Sequence, residues 1–487
     1  MKILLIDPPG RNKGLNTGLG YLSATLKDSH EIKVLDLNNI EMGVCGDPNP
    51  ALPVHEMEKR IISTLHDFRP QLLGISVKTF TADTCKRIVS FVKTRMNDIV
   101  TVAGGPHITL DGLKFIQESC VDYGIQGEGE YTSLQLCNAL EQGDSIENIE
   151  GLFYRKDDQL HHTPRNDLIK EIDAVPFPSY DNFTSVIDNG GTINEYPILT
   201  SRGCPYKCSY CSMPRIMGGR WRYRAAEGVI EELKRAKQKY HSSSFTVVDD
   251  NFTLNLKRVE NICDLLISEN INLPWNNQNG IRADRISEDM ARKMKSAGCR
   301  YVWIGIESAD ENVFNAIEKG EKLEDIKTGI GHLKKAGIRV GGFFIIGLPH
   351  STKVSDLKSV DFAKEQGIDG FWFNFVPYPH TRASEWVQAH GKALRSSDGA
   401  LQFGSNGIDP VFETEEYTKD ERINAYNDIH IKMKYFDRLV DPSLRQSEKW
   451  PKVFQLVASY GFGATMAFFI FLLQYNAAKI KRMVRGQ

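Results

Sequence analysis

Three cysteines lie close together in the segment SRGCPYKCSYCSMP, at positions 204, 208 and 211. A closed zinc site would need a fourth ligand, and the nearest candidate, His241, lies beyond a predicted helix. A redox Cys-x-x-Cys pair would leave Cys204 unexplained. Three thiolates can instead hold a 4Fe–4S cluster and leave one iron open. We therefore predict a catalytic cluster held by Cys204, Cys208 and Cys211, with a zinc knuckle or chance spacing as the alternative.

Composition limits the class of protein. The 487 residues suffice for two or three domains, and 41% hydrophobic and 25% charged residues are typical of a globular chain. A net charge of −2 gives no bulk reason to expect a nucleic-acid partner. Nine cysteines, an odd count in a long chain, indicate a reducing compartment, and the amino terminus has no signal-peptide pattern. We expect a cytoplasmic protein.

The first 144 residues alternate short apolar runs with helical patterns. This alternation predicts a parallel sheet of five strands wrapped by helices, a Rossmann-like domain that binds its ligand at the carboxyl ends of the strands. No G-x-G-x-x-G follows the first strand, which argues against a dinucleotide. Residues 145–194 are a predicted connector, with a hairpin turning at Asp157 and Asp158.

Residues 195–390 resume the alternation with six candidate strands. Six strand–helix units predict a partial (β/α)6 TIM barrel, since a full barrel would need eight. The three cysteines follow the first of these strands, at the end where barrel enzymes carry their chemistry. Residues 391–487 are predicted to form a helical C-terminal region. The predicted fold class is therefore α/β throughout, apart from this last region.

The pattern Cys-x-x-x-Cys-x-aromatic-Cys on such a loop resembles the radical SAM superfamily. The resemblance implies that the open iron chelates S-adenosylmethionine (SAM), and that strand ends further along the chain complete its site. The residues that it implies for SAM binding are Tyr210, Asp249, Asp250, Asn251, Arg282, Glu307, Ser308 and Gly347. A helix N-cap is the alternative for the adjacent acidic residues, and an ion pair is the alternative for Glu307 and for Arg282.

The strand-end loops of the first domain, among them GGPHIT and GEGE, resemble the cobalamin-binding domains fused to radical SAM barrels. Such domains often carry D-x-H-x-x-G, whose histidine replaces the lower ligand of cobalt. Two prolines follow Asp7 here, so the resemblance implies cobalamin bound without that histidine. The implied contacts are Pro9, Ser76, Thr79, Gly104, Gly105, His107, Gly127 and Glu128. Ordinary turns are the alternative for the glycines, and a structural role is the alternative for the histidine.

Methylthiotransferases are a rival within the superfamily, because their amino-terminal domain holds a second cluster on three cysteines. This chain has Cys45, Cys85 and Cys120 in that region. Cys85 falls inside a helical pattern and Cys120 at the end of one, away from the strand-end loops. We therefore predict no second cluster.

The segment 453–475 is apolar and uncharged, and four basic residues follow it before the last residue. About 20 apolar residues can cross a hydrocarbon core, but a crossing would place this basic end outside, against the positive-inside tendency. An in-plane helix on the inner face of the membrane is our expectation, with a buried core helix as the alternative. Membrane attachment would favour an apolar or lipid-like substrate.

The resemblance also implies the chemistry. The reduced cluster splits SAM to a 5′-deoxyadenosyl radical, which takes a hydrogen atom from an unreactive carbon, and methylcobalamin supplies a methyl group. We predict a carbon methyltransferase that acts on a small molecule and uses an external electron donor. The alternatives are a radical cyclase or rearrangement enzyme on a tetrapyrrole-like or lipid substrate, and a non-catalytic, membrane-associated cofactor-binding protein. The aromatic run FWFNFVPYPHT either lines the substrate pocket or fills the barrel core.

Overall fold

The computed structural model of the chain describes residues 1–10, 14–39, 52–157, 159–165, 167–394 and 409–430. The apolar segment 453–475 lies outside these ranges. Inside them, no helix combines the length and the apolar character that a membrane crossing requires.

The first domain is built on a seven-stranded sheet in the order β2-β1-β3-β4-β5-β6-β7. Its strands are β1 (Lys2–Asp7), β2 (Glu31–Asp36), β3 (Leu72–Ser76), β4 (Val100–Gly104), β5 (Tyr123–Ile125), β6 (Leu152–Lys156) and β7 (Gln159–His162). The helices are α1 (Thr17–Leu26), α2 (Val54–Phe68), α3 (Ala82–Lys93), α4 (Pro106–Gln117) and α5 (Glu130–Gln142). The first five strands are parallel, as predicted.

The predicted hairpin is present, but it belongs to the first sheet. Strand β6 pairs antiparallel with β5, and β7 pairs antiparallel with β6. The central strands of this sheet are apolar almost throughout, because helices cover both faces and each face needs buried side chains. Strand β1, for example, is buried at every position after Lys2.

The second domain carries six parallel strands in chain order, which confirms the partial barrel. A short helix, α6 (Thr184–Asp188), precedes it. The strands are β8 (Glu195–Ile198), then a small pair β9 (Ser201–Arg202) and β10 (Arg222–Tyr223), and then β11 (Ser244–Val247), β12 (Trp275–Ile281), β13 (Cys299–Glu307), β14 (Arg339–Ile346) and β15 (Asp369–Asn374). The helices are α7 (Met213–Ile216), α8 (Ala226–Lys239), α9 (Leu256–Ser268), α10 (Glu288–Ser296), α11 (Glu311–Ala316), α12 (Leu323–Lys335), α13 (Lys353–Gln366) and α14 (Arg382–His390).

A C-terminal segment fastens the far edge of this barrel. It comprises β16 (Lys392–Ala393), β17 (Phe412–Glu413) and α15 (Lys419–His430), which packs on α13. The Asp356 carboxylate accepts hydrogen bonds from the Gly347 backbone N–H and the Tyr417 hydroxyl, both at 2.9 Å. The guanidinium of Arg422 donates to the Gly347 carbonyl at 3.2 Å. The loop after β14 is therefore held by residues that lie far beyond it in the chain.

This fastening predicts a pH dependence of stability. Burial raises the pKa of Asp356 from 3.8 to about 7, although hydrogen bonds and Arg422 oppose the shift. The folded protein then binds the proton more tightly than the unfolded chain, so the contribution of Asp356 to stability is complete below about pH 4 and is lost as the pH rises through 7. Compared with Asp356→Asn, the wild type should lose up to about 1.4 kcal/mol of unfolding free energy per pH unit in that window. Urea unfolding of both proteins across this range measures the difference, and parallel pH curves would contradict the prediction.

Candidate functional site

A large cavity lies between the two domains. Its volume is about 1630 Å³, and its walls are the strand-end loops of the first sheet and the interior of the partial barrel. Pockets for drug-sized ligands occupy about 300–1,000 Å³, so this cavity has room for more than one small molecule.

The structure brings ten of the predicted site residues to this cavity: Ser76, Thr79, Gly104, Gly105, Gly127, Glu128, Tyr210, Cys211, Asp250 and Glu307. Cys204 and Cys208 lie on the same loop as Cys211 but do not line the cavity. The other predicted residues are described but do not line the cavity: Pro9, His107, Asp249, Asn251, Arg282, Ser308 and Gly347. Residues of both predicted cofactor sites therefore share one space.

The start of the cysteine loop is held by backbone and side-chain contacts. Gly203 has φ +84°, and a Cβ there would overlap the carbonyl oxygen of Arg220. Its N–H donates to the Asp250 carboxylate at 2.8 Å. The Asn251 side-chain amide lies 3.6 Å from the Cys204 sulfur, and its Oδ1 has no hydrogen-bond partner among the described residues. The second strand end thus touches the cysteine loop and offers a buried acceptor, which fits the ammonium group of SAM.

Two thiols of the cysteine loop, those of Cys208 and Cys211, favour the protonated form. Burial is the main cause that raises the pKa of Cys211 to about 12, and it also raises the pKa of Cys208. Metal ligation requires the thiolate, so cluster assembly must release these protons. Within the described chain, no three His, Cys, Asp or Glu side chains come together closely enough to hold a single metal ion.

The adjacent carboxylates after β11 face different surroundings. Asp249 is fully buried and accepts three hydrogen bonds of 2.6 Å, from the Thr200 backbone N–H, the Thr200 hydroxyl and the Ser201 hydroxyl. It fastens β8 to β11. Asp250 instead faces the cavity, and burial raises its pKa to about 6. Sequence reasoning did not separate these two environments.

At the end of β13, Glu307 has a positive φ of 67° and points into the cavity beside Lys319, whose ammonium lies 3.1 Å from its carboxylate. Lys319 is buried, and despite this burial Glu307 and Glu321 raise its pKa. Burial first, and then the nearby Glu307, raise the pKa of Tyr210 well above its ordinary range. Lys319 was missed by sequence reasoning, because a lysine beyond a strand end carries no distinguishing pattern.

Arg282 belongs to a neighbouring ion-pair group. It pairs with Asp284 at 3.2 Å and with Glu321 at 3.3 Å. Its guanidinium also lies 3.8 Å from the centre of the Tyr206 ring, within the cysteine loop. The structure therefore has the ion pair that was the alternative for this residue. Arg282 nevertheless contacts the cysteine loop, through a cation–π interaction with Tyr206.

The first domain offers a glycine-lined surface to the same cavity. A Cβ added to Gly104 would meet no atom within 4 Å, so this backbone is open to a ligand. Gly105 has φ +103°, and a Cβ there would lie 2.9 Å from the Val77 carbonyl oxygen, so glycine is required. Ser76 and Thr79 line the adjacent wall. A glycine cradle with nearby hydroxyl groups fits a large, polar-edged cofactor such as cobalamin.

His107 and Pro9 are placed differently from the other predicted cobalamin contacts. His107 is the second residue of α4 and packs edge-on against Phe115, with ring centres 5.7 Å apart. This packing matches the structural role that was its alternative. Ser308 is likewise occupied locally, where its hydroxyl accepts from the Asp310 backbone N–H at 3.2 Å.

Four charges, three of them buried and Arg222 half-buried, join the two domains, and we call them the interdomain clasp: Glu128, Glu130, Arg202 and Arg222. Arg202 pairs with Glu128 and with Glu130, each at 2.7 Å, and Arg222 pairs with Glu128 at 2.6 Å. Arg202 stands two residues before Cys204, while the two glutamates flank Gly129 at the end of the first sheet. The clasp therefore ties the predicted cobalamin loop to the cluster loop.

The fold and this site together define a radical SAM barrel joined to a cobalamin-binding domain, and comparisons with known proteins agree. Residues 198–376 match the Radical SAM superfamily, and residues 11–136 match the B12 binding domain. An uncharacterized methyltransferase of Pyrococcus horikoshii is 31% identical over 435 residues, which cover 86% of this chain and 90% of that protein. The chain belongs to the cobalamin-dependent radical SAM family of enzymes, whose cofactors are a 4Fe–4S cluster, SAM and cobalamin.

Two further comparisons extend this relationship. An anaerobic magnesium-protoporphyrin IX monomethyl ester cyclase of Synechocystis is 26% identical over 357 residues, covering 69% of this chain and 67% of the cyclase. The structure of TsrM, a radical S-adenosylmethionine methyltransferase from Kitasatospora setae, has a TM-score of 0.65 at 18% identity and covers 82% of this chain and 80% of its own. The fold is therefore shared across both domains.

Proposed function

We propose that the protein methylates an unactivated carbon of a small-molecule substrate that binds in the interdomain cavity. The observation that carries this proposal is that one cavity is lined both by the glycine cradle of the first domain and by Cys211 of the cluster loop. When bound, the cofactors of the family supply a 5′-deoxyadenosyl radical and a transferable methyl group. Both reagents must reach the same substrate carbon, and a shared cavity meets that requirement.

The chain's own residues would bind and orient these groups. Asp250 and the unpartnered Oδ1 of Asn251 offer acceptors for the SAM ammonium next to Cys204. Glu307, held by Lys319, offers a carboxylate to the ribose hydroxyls, and Tyr210 offers an aromatic face to the adenine. Ser76 and Thr79 would donate to the cobalamin tail while Gly104 and Gly105 let it pass along the backbone. The buried side chains of Glu128, Glu130 and Arg202 would exclude water from this part of the junction between the domains.

Product analysis tests this proposal. The protein is reconstituted anaerobically with iron, sulfide and hydroxocobalamin, and is then given SAM and a reductant. Formation of both 5′-deoxyadenosine and S-adenosylhomocysteine is expected, because one SAM supplies the radical and another supplies the methyl group. Deoxyadenosine without S-adenosylhomocysteine would overturn methylation and favour a radical cyclase, the second candidate that the Synechocystis relative supports.

We also propose that residues 453–475 contact the inner face of a membrane, on the strength of their uncharged, apolar sequence and the basic residues behind them. The full chain should then float with vesicles that contain anionic lipid, and a chain that ends before residue 453 should not. Equal behaviour of the two proteins would contradict this proposal.

A further inference from the structure

One wall of the barrel interior is aromatic. Trp303, Phe343, Phe371 and Phe373 come from three adjacent strands, β13 to β15, and all four line the cavity while remaining half-buried. Trp303 and Phe343 stack with ring centres 4.7 Å apart, and Phe343 and Phe371 meet nearly edge-on at 6.3 Å. Trp372, which lies between Phe371 and Phe373 on β15, faces the opposite side of the strand and is buried. The aromatic run therefore divides into core and cavity lining, and the cavity half has exposed ring surface for a ligand.

A glycine leaves room for the Trp303 ring against the neighbouring strand. Trp303 lies opposite Gly341 in the β13–β14 register. A Cβ at Gly341 would approach the indole ring to 2.6 Å, so a larger residue would push the ring away from the strand. The rings of this wall therefore present both faces and edges to the cavity, and a planar aromatic molecule can contact them by stacking or edge to face.

The opposite wall, formed by β8, β11 and β12, is polar. Glu195 lines the cavity, and its carboxylate accepts hydrogen bonds from the Gln278 side chain at 2.8 Å and the Asn276 side chain at 3.3 Å. Among the residues that the structure describes, no cationic nitrogen lies within 4.0 Å of this carboxylate. The Thr246 hydroxyl, on the next strand, is buried and has no hydrogen-bond partner within the same residues. Among the described residues, this wall therefore holds a carboxylate that accepts from two amides but has no cationic partner, and a buried hydroxyl without a hydrogen-bond partner.

The distance from Glu195 to the cluster end of the barrel sets a minimum length for a substrate that reaches both. Glu195 begins β8, whereas the cluster loop follows the end of that strand at Ile198. Three residue steps at about 3.3 Å each place the Cα atom of Glu195 about 10 Å from the end of the strand. A molecule that reaches from Glu195 to the edge of the cluster site is therefore longer than a single aromatic ring.

We propose that the barrel interior binds a planar aromatic substrate, about 10 Å long, that carries an amine or another strong hydrogen-bond donor for Glu195 at the end away from the cluster. This inference rests on the proposed function, in which the reacting carbon lies at the cluster end. The ring system packs against Trp303 and its three neighbouring phenylalanines, whose differently inclined rings offer it both faces and edges. An anionic substrate is disfavoured, because its charge would face the Glu195 carboxylate with no cation between them.

Three matched probes test the substrate class without turnover. They are 1-naphthylmethylamine, which is aromatic and cationic, 1-naphthoate, which is aromatic and anionic, and cyclohexylmethylamine, which is cationic without an aromatic ring. Calorimetric titration of each into the reconstituted full-length protein, with SAM but without reductant, measures the affinities. We expect the naphthyl amine to bind at least about tenfold more tightly than either other probe.

Two variants and one control connect that selectivity to named residues. Glu195→Gln should abolish the preference for amine over carboxylate, and Phe371→Leu should weaken both naphthyl probes while leaving cyclohexylmethylamine unchanged. Glu227→Gln, an exposed position on α8, should behave as the wild type. Equal binding of the three probes, or a preference that survives Glu195→Gln, would overturn the inference. Because no reductant is present, selective binding by a protein that fails the product test would retain the substrate class and overturn only the proposed function.

Discussion

Replacing Arg202 with methionine should destabilise the protein by about 3–5 kcal/mol. The change removes a buried cation and leaves the carboxylates that pair with it without that positive charge. Glu130 loses the partner at 2.7 Å, and Glu128 loses one of its two arginines while it keeps Arg222 and the hydrogen bond from the Ile169 backbone N–H. Arg202 and both glutamates are buried, so water cannot replace the missing charge. Denaturant unfolding of the full chain measures the loss.

A matched control separates the contribution of burial to this stability loss from the contribution of ion pairing. Arg292 also pairs with two carboxylates, those of Glu288 and Asp289, but it lies exposed on α10. Arg292→Met should cost no more than about 1 kcal/mol, since exposed pairs contribute little. Combining Arg202→Met with Glu130→Leu should recover part of the loss, because both members of one pair then become apolar. Equal losses for the two arginine variants would contradict the buried clasp.

The same Arg202 variant should lower methyl transfer much more than it lowers radical formation. The clasp ties the cluster loop to the first-domain loop that carries Gly127 and Glu128, and a displacement of about 1 Å between reacting groups can lower a rate about 100-fold. We expect S-adenosylhomocysteine formation to fall by about that factor, while deoxyadenosine formation falls much less. Chromatography of both products gives the ratio. An unchanged ratio would mean that the clasp stabilises the fold without positioning the loops.

Replacing Cys208 with serine should abolish SAM cleavage while cobalamin stays bound. A serine hydroxyl does not supply the thiolate that iron requires, and the two remaining cysteines cannot complete a three-thiolate site. Iron content after reconstitution should fall from about four per chain to near zero, and the deoxyadenosine yield should fall to background. Metal analysis and product chromatography of the same sample measure both.

Cys120 provides the matched control for that replacement. It is exposed, lies outside the cysteine loop and belongs to the first domain. Cys120→Ser should retain full iron content and SAM cleavage. Iron loss in both variants would revive a second cluster in the first domain, and iron retention in Cys208→Ser would refute the three-cysteine assignment.

Local patterns predicted the elements and the position of the cysteine loop. The alternation of apolar runs and helical patterns predicted six parallel strands, because a parallel strand buried on both faces needs a nearly continuous apolar run. Cys85 was predicted inside a helix, and it lies in α3. The cysteine loop, whose first ligand follows β9 by two residues, was recognisable from the sequence because all three ligands lie on it.

Contacts between distant parts of the chain were not predictable in this way. In the clasp, Glu128 pairs with Arg202 and Arg222, which follow it by 74 and 94 positions in the chain. The sequence around Glu128 does not distinguish an ion pair from a cofactor contact. Gly347 was assigned to SAM from its strand, yet its carbonyl is bound by Arg422, 75 residues further along. The division of the aromatic run depends on which side chains face the barrel interior, and that follows from the strand register.

Electron paramagnetic resonance of the reduced, reconstituted protein, recorded with and without SAM, tests most directly whether one chain holds a three-thiolate cluster beside cobalamin. The sample should contain about four irons and about one cobalt per chain, and SAM should change the cluster signal because it takes the open iron. Retained cobalamin with a SAM-sensitive cluster would support the shared cavity. A cluster signal that SAM leaves unchanged, or a protein that takes up iron but no cobalamin, would contradict it.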